Sequence, residues 1–137
     1  MRVWGATDRG LVRQQNEDAF SYFVLNGAGG EEVYFFAVAD GMGGLEAGEV
    51  ASFIALRDIG RVVKGESFTS STDVSSLLAR AFCEANRRIY EVGCGRGPGS
   101  MGTTVTAGLV VGGTLYLGHV GDSRAYRFTG TTLEQLT

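Results

Sequence analysis

Lysine, proline and histidine are nearly missing from this chain. Among 137 residues there is one lysine, Lys64, one proline and one histidine, His119. The net charge is −3, and the arginines are scattered along the chain. A nucleic-acid surface needs Lys and Arg gathered on one face, so no nucleic-acid partner is expected. There is no run of 18 apolar residues, so no membrane span is expected. The first ten residues, "MRVWGATDRG", lack the apolar centre of a secretory signal. Only two cysteines occur, Cys83 and Cys94, and they do not form a C-x-x-C pair. They read as free thiols in a reducing compartment, which points to the cytoplasm. The 22 glycines fall between apolar runs without a repeat, so they mark turns and not a linker or a collagen-like array.

The length suits one domain, 1–137, large enough to bury about two-thirds of its unfolded surface. Strand signals occupy both ends. Arg2–Thr7, Ala19–Leu25 and Val33–Asp40 are short, aromatic and β-branched. The last two are separated by the turn cluster "NGAGGEE" and predict a hairpin with a long loop. Helix spacing starts at Ala47, with Val50, Ala51 and Ile54, while Gly60 and Gly65 weaken its far end. A cleaner stripe follows: Val74, Leu77, Leu78, Ala81, Phe82, Ala85, Ile89 and Val92. Asp73 reads as its N-cap and Gly93 as its stop. "GCGRGPGS", residues 93–100, reads as the most flexible segment. Strands return at Thr103–Val111, Thr114–Val120 and Arg124–Phe128, with another beginning at Leu133–Leu136, and Gly112–Gly113 is a two-residue hairpin signal. The order β-β-β-α-α-β-β-β predicts an α+β fold with antiparallel sheet.

"FAVADGMGG", residues 35–43, ends a buried-type strand in a carboxylate followed by a loop almost without side chains. A dinucleotide fingerprint would need glycine where Glu46 stands, and no P-loop lysine follows. The alternative is that Asp40 is a metal ligand, since a desolvated carboxylate needs a positive partner. Glu17 and Asp18 in "QQNEDAF" and Asp122 in "HVGDSRAY" lie at other strand boundaries. Any one of them alone would read as a turn or cap residue. Together they suit Mg²⁺ or Mn²⁺, which prefer oxygen donors. Arg13, four residues before Glu17, reads either as a surface salt bridge or as a fork for phosphate oxygens. Carboxylates for two divalent ions plus one arginine suit phosphate-ester hydrolysis.

Four stretches, "TDRGLVRQQNEDAF", "VADGMGG", "GSMGTTVTAGLV" and "HVGDSRAY", resemble in order and spacing the metal-dependent PP2C-type (PPM) serine/threonine protein phosphatases of bacteria. The resemblance implies an antiparallel β-sandwich flanked by helices. It implies that Arg13 binds the substrate phosphate in catalysis and that Asp40 bridges two Mn²⁺ or Mg²⁺ ions. Glu17 reaches the second ion, Asp18 supports it, and Gly41 offers it a backbone carbonyl. Asp122 matches the acid of a third, weaker site. Gly102, Thr103 and Thr104 match a structural motif beneath the site.

Some members carry histidine where this chain has Met42, so the resemblance supplies no general acid. Family domains are also longer, and their later aspartates complete the first metal site, whereas no aspartate follows Asp122 here. The chain therefore reads as the N-terminal part of such a domain, expected to be inactive alone and prone to homodimerise. Its substrates would be phosphorylated proteins and its counterpart a Ser/Thr kinase. The alternative is a non-catalytic phosphatase-like binding or regulatory module.

Overall fold

Period-two alternation in two aromatic-rich runs builds the first hairpin. The structure, a computed structural model, describes residues 1–42, 47–94 and 101–137. Strand β1 is Asp18–Asn26 and β2 is Glu32–Met42, antiparallel from Asn26 opposite Glu32 to Asp18 opposite Asp40. On β2 the residues Val33, Phe35, Ala37 and Ala39 are buried, while their neighbours point to the opposite face. Phe23 of β1 stacks on Phe35 of β2 with ring centroids 4.6 Å apart, adding to the burial an aromatic contact.

Two consecutive helices cover that buried face. Helix α1 is Gly48–Lys64 and α2 is Val74–Cys94. Helix α1 runs through Gly60 because tertiary packing outweighs the propensity cost of one glycine. Asp73 caps α2: its Oδ1 accepts from the Ser76 backbone N–H at 3.0 Å and its Oδ2 from the Ser76 hydroxyl at 2.7 Å. The helix ends one residue beyond Gly93. Its expected stripe faces inward, with Val74, Leu77, Leu78, Ala81 and Ala85 buried and Phe82 and Ile89 half-buried against the core. Phe68, in the loop between the helices, is buried and seals one end of the core.

After the helices, β3 is Gly102–Thr103, β4 is Val105–Val111 and β5 is Thr114–Val120. The expected strand from Thr103 to Val111 is thus interrupted at Thr104, though both parts face β2 in one unbroken register. Val111 opposes Thr114 across Gly112 and Gly113. Their φ values of 56° and 80° are the left-handed pair that a tight two-residue hairpin requires, and glycine supplies both without steric cost. The main sheet runs β1-β2-β4-β5, with β3 extending the β2 pairing. A separate two-stranded hairpin pairs β6, Tyr126–Phe128, with β7, Leu133–Gln135.

The α+β class, the antiparallel pairing and the paired helices follow the expected order from Asp18 onward. One element differs. Arg2–Thr7 forms no strand. A strand exists only where its backbone groups find a ladder, and this segment has no such partner among the described residues. It lies instead against the sheet face turned away from the helices. There Gly5 abuts the Phe20 ring and the terminal amine donates to the Tyr34 hydroxyl at 2.8 Å. The segment expected to be most flexible falls, from Gly95 to Ser100, outside the described residues. Cys83 and Cys94 are free and exposed.

Candidate active site

The sheet gathers its acids at one end. Asp18 opens β1, Asp40 lies near the end of β2, and antiparallel pairing sets them directly opposite each other. Both stand on the face away from the helices, because each is an even number of residues from an outward aromatic, Phe20 on β1 and Phe36 on β2. Asp40 is exposed as a residue, but partial desolvation of its carboxyl at the strand end pushes it above its ordinary range. The Asp18 charge, a hydrogen bond with Asp18 and the charge of Asp122 push the same way, and Arg13 opposes them. Two carboxyls at hydrogen-bond range share a proton or hold a cation between them.

Arg13 and Glu17 form an ion pair at 3.7 Å, with the arginine side chain 76% exposed and the glutamate 20% exposed. The guanidinium therefore keeps donors free for an anion. The Glu17 backbone carbonyl is held twice. It accepts from the Gly41 N–H at 3.2 Å and from the Ser52 hydroxyl at 2.6 Å. These bonds tie the loop carrying Arg13 to the end of β2 and to the first turns of α1.

Close backbone approach explains the glycines here. A Cβ on Gly41 would collide with the Gly48 carbonyl, and one on Gly48 would come within 2.7 Å of Glu17 Oε1. Only side-chain-free residues let the start of α1 lie this near the strand end. On the other flank, Thr104 brackets Asp40. The Thr104 N–H donates to the Asp40 carbonyl at 2.9 Å, and the Thr104 hydroxyl accepts from the Asp40 N–H at 3.2 Å. The Thr104 hydroxyl also bonds Ser123 at 2.6 Å, which anchors the turn that carries Asp122. Thr104 is 1% exposed, which fits a residue that holds the strand end in place.

The structure thus joins Arg13 to Glu17 and Asp18 to Asp40, and brings Asp122 near enough to Asp40 to act on its charge. Gly41 lies on the buried face of β2, against the start of α1. Ser52, Gly48 and Ser123 were not singled out from the sequence. Their roles depend on partners 35, 7 and 19 residues away, and no local pattern signals such contacts. His119 bonds Thr106 through Nδ1 at 2.9 Å as an ordinary sheet residue.

Carboxylate oxygens crowded at one strand end are donors of the right kind for a hard divalent cation. Among the described residues, however, no three His, Cys, Asp or Glu side chains are grouped closely enough to hold an ion by themselves.

The family model "Protein phosphatase 2C" matches residues 4–137. A serine/threonine phosphatase of Listeria welshimeri is 33% identical over 96% of this chain and 51% of its own length. The Streptococcus agalactiae serine/threonine phosphatase structure superposes with a TM-score of 0.83 at 32% identity, over 96% of this chain and 53% of that one. The catalytic domain of PstP of Mycobacterium tuberculosis, solved with two manganese ions, superposes with a TM-score of 0.74 at 38% identity, over 95% of this chain and 52% of that one. The chain spans about half the length of each. With the motifs, the strand register and the sequence match in agreement, the chain belongs to the protein phosphatase 2C family.

Proposed function

We propose that this chain carries the phosphate-binding and carboxylate half of a metal-dependent phosphatase centre. The substrate class is phosphoserine and phosphothreonine in proteins, the counterpart activity being a Ser/Thr kinase. The observation that carries this reading is the cross-strand pair Asp18–Asp40, with the Arg13–Glu17 ion pair at the same end of the sheet.

In this reading Asp40 would be a shared ligand of the Mn²⁺ or Mg²⁺ ions. Glu17 and Asp18, with the Gly41 carbonyl, would serve one of them, and Asp122 would serve a third, weaker site. The bound ions supply Lewis acidity and a nucleophile from water at neutral pH. The Arg13 fork binds phosphoryl oxygens and holds the ester in line. Glu17 keeps that fork in position through its ion pair. Cys83 and Cys94 as free thiols fit a reducing, cytoplasmic setting. No helix among the described residues is long and apolar enough to cross a membrane.

Residues 1–137 alone are expected to lack turnover. A tight Mg²⁺ or Mn²⁺ site needs more oxygen donors than one strand pair presents. They are also expected to self-associate, because the outward sheet face exposes Tyr22 and Val38 and the β6–β7 hairpin exposes Tyr126, Phe128 and Leu133. The lack of a three-donor group among the described residues favours a second reading, a module that binds phosphoproteins without turnover.

The deciding assay uses a phosphothreonine peptide at millimolar Mn²⁺, with EDTA as control, on the full-length protein and on residues 1–137. Turnover by the full-length protein that is lost in Asp40→Asn supports the phosphatase. Turnover retained in that variant removes Asp40 from the centre. Peptide binding without any turnover establishes the second reading. Light scattering gives the mass of residues 1–137.

A further inference from the structure

Strand β1 borders the main sheet, pairing only with β2 among the described residues. Its free edge opens into a groove beside α1, lined by Ala19, Ser21 and Phe23 from the strand and by Phe53, Arg57 and Lys64 from the helix. Phe53, Arg57, Gly60, Arg61 and Lys64 recur at helix spacing, so one stripe of α1 overhangs the strand edge.

This stripe is basic in a chain of net charge −3. Arg57 pairs with Asp58 at 2.8 Å and Arg61 with Glu84 at 3.0 Å. Lys64, the one lysine of the chain, makes no ion pair among the described residues. It lies over the Phe23 ring, 4.4 Å from the centroid. Phe53 is 61% exposed and gives the groove an apolar wall.

We propose that this groove takes the extended segment of the phosphoprotein substrate next to its phosphoresidue, as a strand added to β1, with a carboxylate side chain meeting Lys64. The inference rests on the phosphatase reading above and extends it to substrate choice. Its geometry follows from the strand. Asp18, at the carboxylate end, and Phe23, under Lys64, are five residues apart on β1. At about 3.3 Å per residue that is roughly 16 Å. An added strand with its phosphoresidue at the Asp18–Asp40 end therefore brings a residue about five positions away to Lys64. Backbone pairing supplies sequence-independent affinity, and alternate side chains face the α1 stripe. Lys64 selects by charge.

The test uses the full-length protein and two phosphothreonine peptides, one with glutamate five positions from the phosphoresidue on either side and one with lysine there. Lys64→Glu is expected to lower kcat/KM for the glutamate peptide about three-fold and to raise it for the lysine peptide, the size of an exposed ion pair. Lys64→Gln should fall between. Hydrolysis of a small aryl phosphate, which cannot reach the groove, should be unchanged in both variants. Unaltered discrimination between the peptides in Lys64→Glu overturns the groove while leaving the phosphatase reading intact. No hydrolysis of the aryl phosphate by the wild type overturns the phosphatase reading. In that event, fluorescence anisotropy with the unphosphorylated glutamate peptide still decides the groove: loss of binding in Lys64→Glu supports it, and equal binding rejects it.

Discussion

Asp18 and Asp40 face each other as cross-strand partners at the end of the β1–β2 hairpin. Like charges in this position oppose folding unless a cation lies between them. The raised Asp40 carboxyl is the local sign of that conflict, through partial desolvation first and the Asp18 charge next. Such tension at a strand end fits the ligand site proposed above, where stability is given up for binding.

Asp40→Asn should accordingly raise the melting temperature of the metal-free protein by about a degree, the scale of an exposed like-charge contact. The same change should remove Mn²⁺ binding. Thermal melts in EDTA and calorimetric Mn²⁺ titration check the two halves. A lower melting temperature in EDTA would show that the pair does not oppose folding.

Arg13→Ala should act on the substrate and not on the fold. Its side chain is mostly exposed and its ion pair with Glu17 is long, so the melting temperature should hardly move. Loss of a charge-assisted phosphate contact should raise KM for an aryl phosphate about tenfold. Steady-state kinetics on the full-length protein give the number.

The α2 stripe predicts an order of effects. Leu78 is 4% exposed, so Leu78→Ala should cost about 3 kcal/mol. Phe82 is half-buried, with its ring seated on Gly118 of β5. Phe82→Ala should therefore cost less than a fully buried phenylalanine, about 2 kcal/mol. Urea unfolding of both variants checks the order, and a larger loss at Phe82 would contradict it.

The α2 cap carries a pH signature. Hydrogen bonds from the Ser76 backbone and hydroxyl hold the Asp73 carboxyl below its ordinary range. The folded state therefore prefers the ionised form. The cap's contribution is fully present above the unfolded carboxylate range near pH 4, and is lost as pH falls through the lower folded value. Asp73→Ala should be less stable than wild type at pH 7, and the gap should narrow on acidification. Urea midpoints between pH 7 and pH 3 measure it. Asp73→Asn, which keeps a capping oxygen, should show a smaller gap at pH 7.

Local chemistry decided much of this protein in advance. The Gly112–Gly113 turn, the Asp73 cap and the α2 stripe each depend on residues within a few positions of one another, so the sequence states them directly. The candidate acids were legible for a similar reason, as carboxylates at strand boundaries in stretches that resemble family motifs. Arg2–Thr7 has the composition of a strand, but a strand is made by its partner, and composition does not say whether one lies alongside. The same limit hid Ser52 on the Glu17 carbonyl, Ser123 on Thr104 and the approach of Gly48 to Gly41. Those contacts exist only once α1 is laid across the strand end and the turn after β5 is brought to Thr104. The pairing register alone set Asp18 opposite Asp40, because a shift of one residue would have turned one carboxylate to the other face of the sheet.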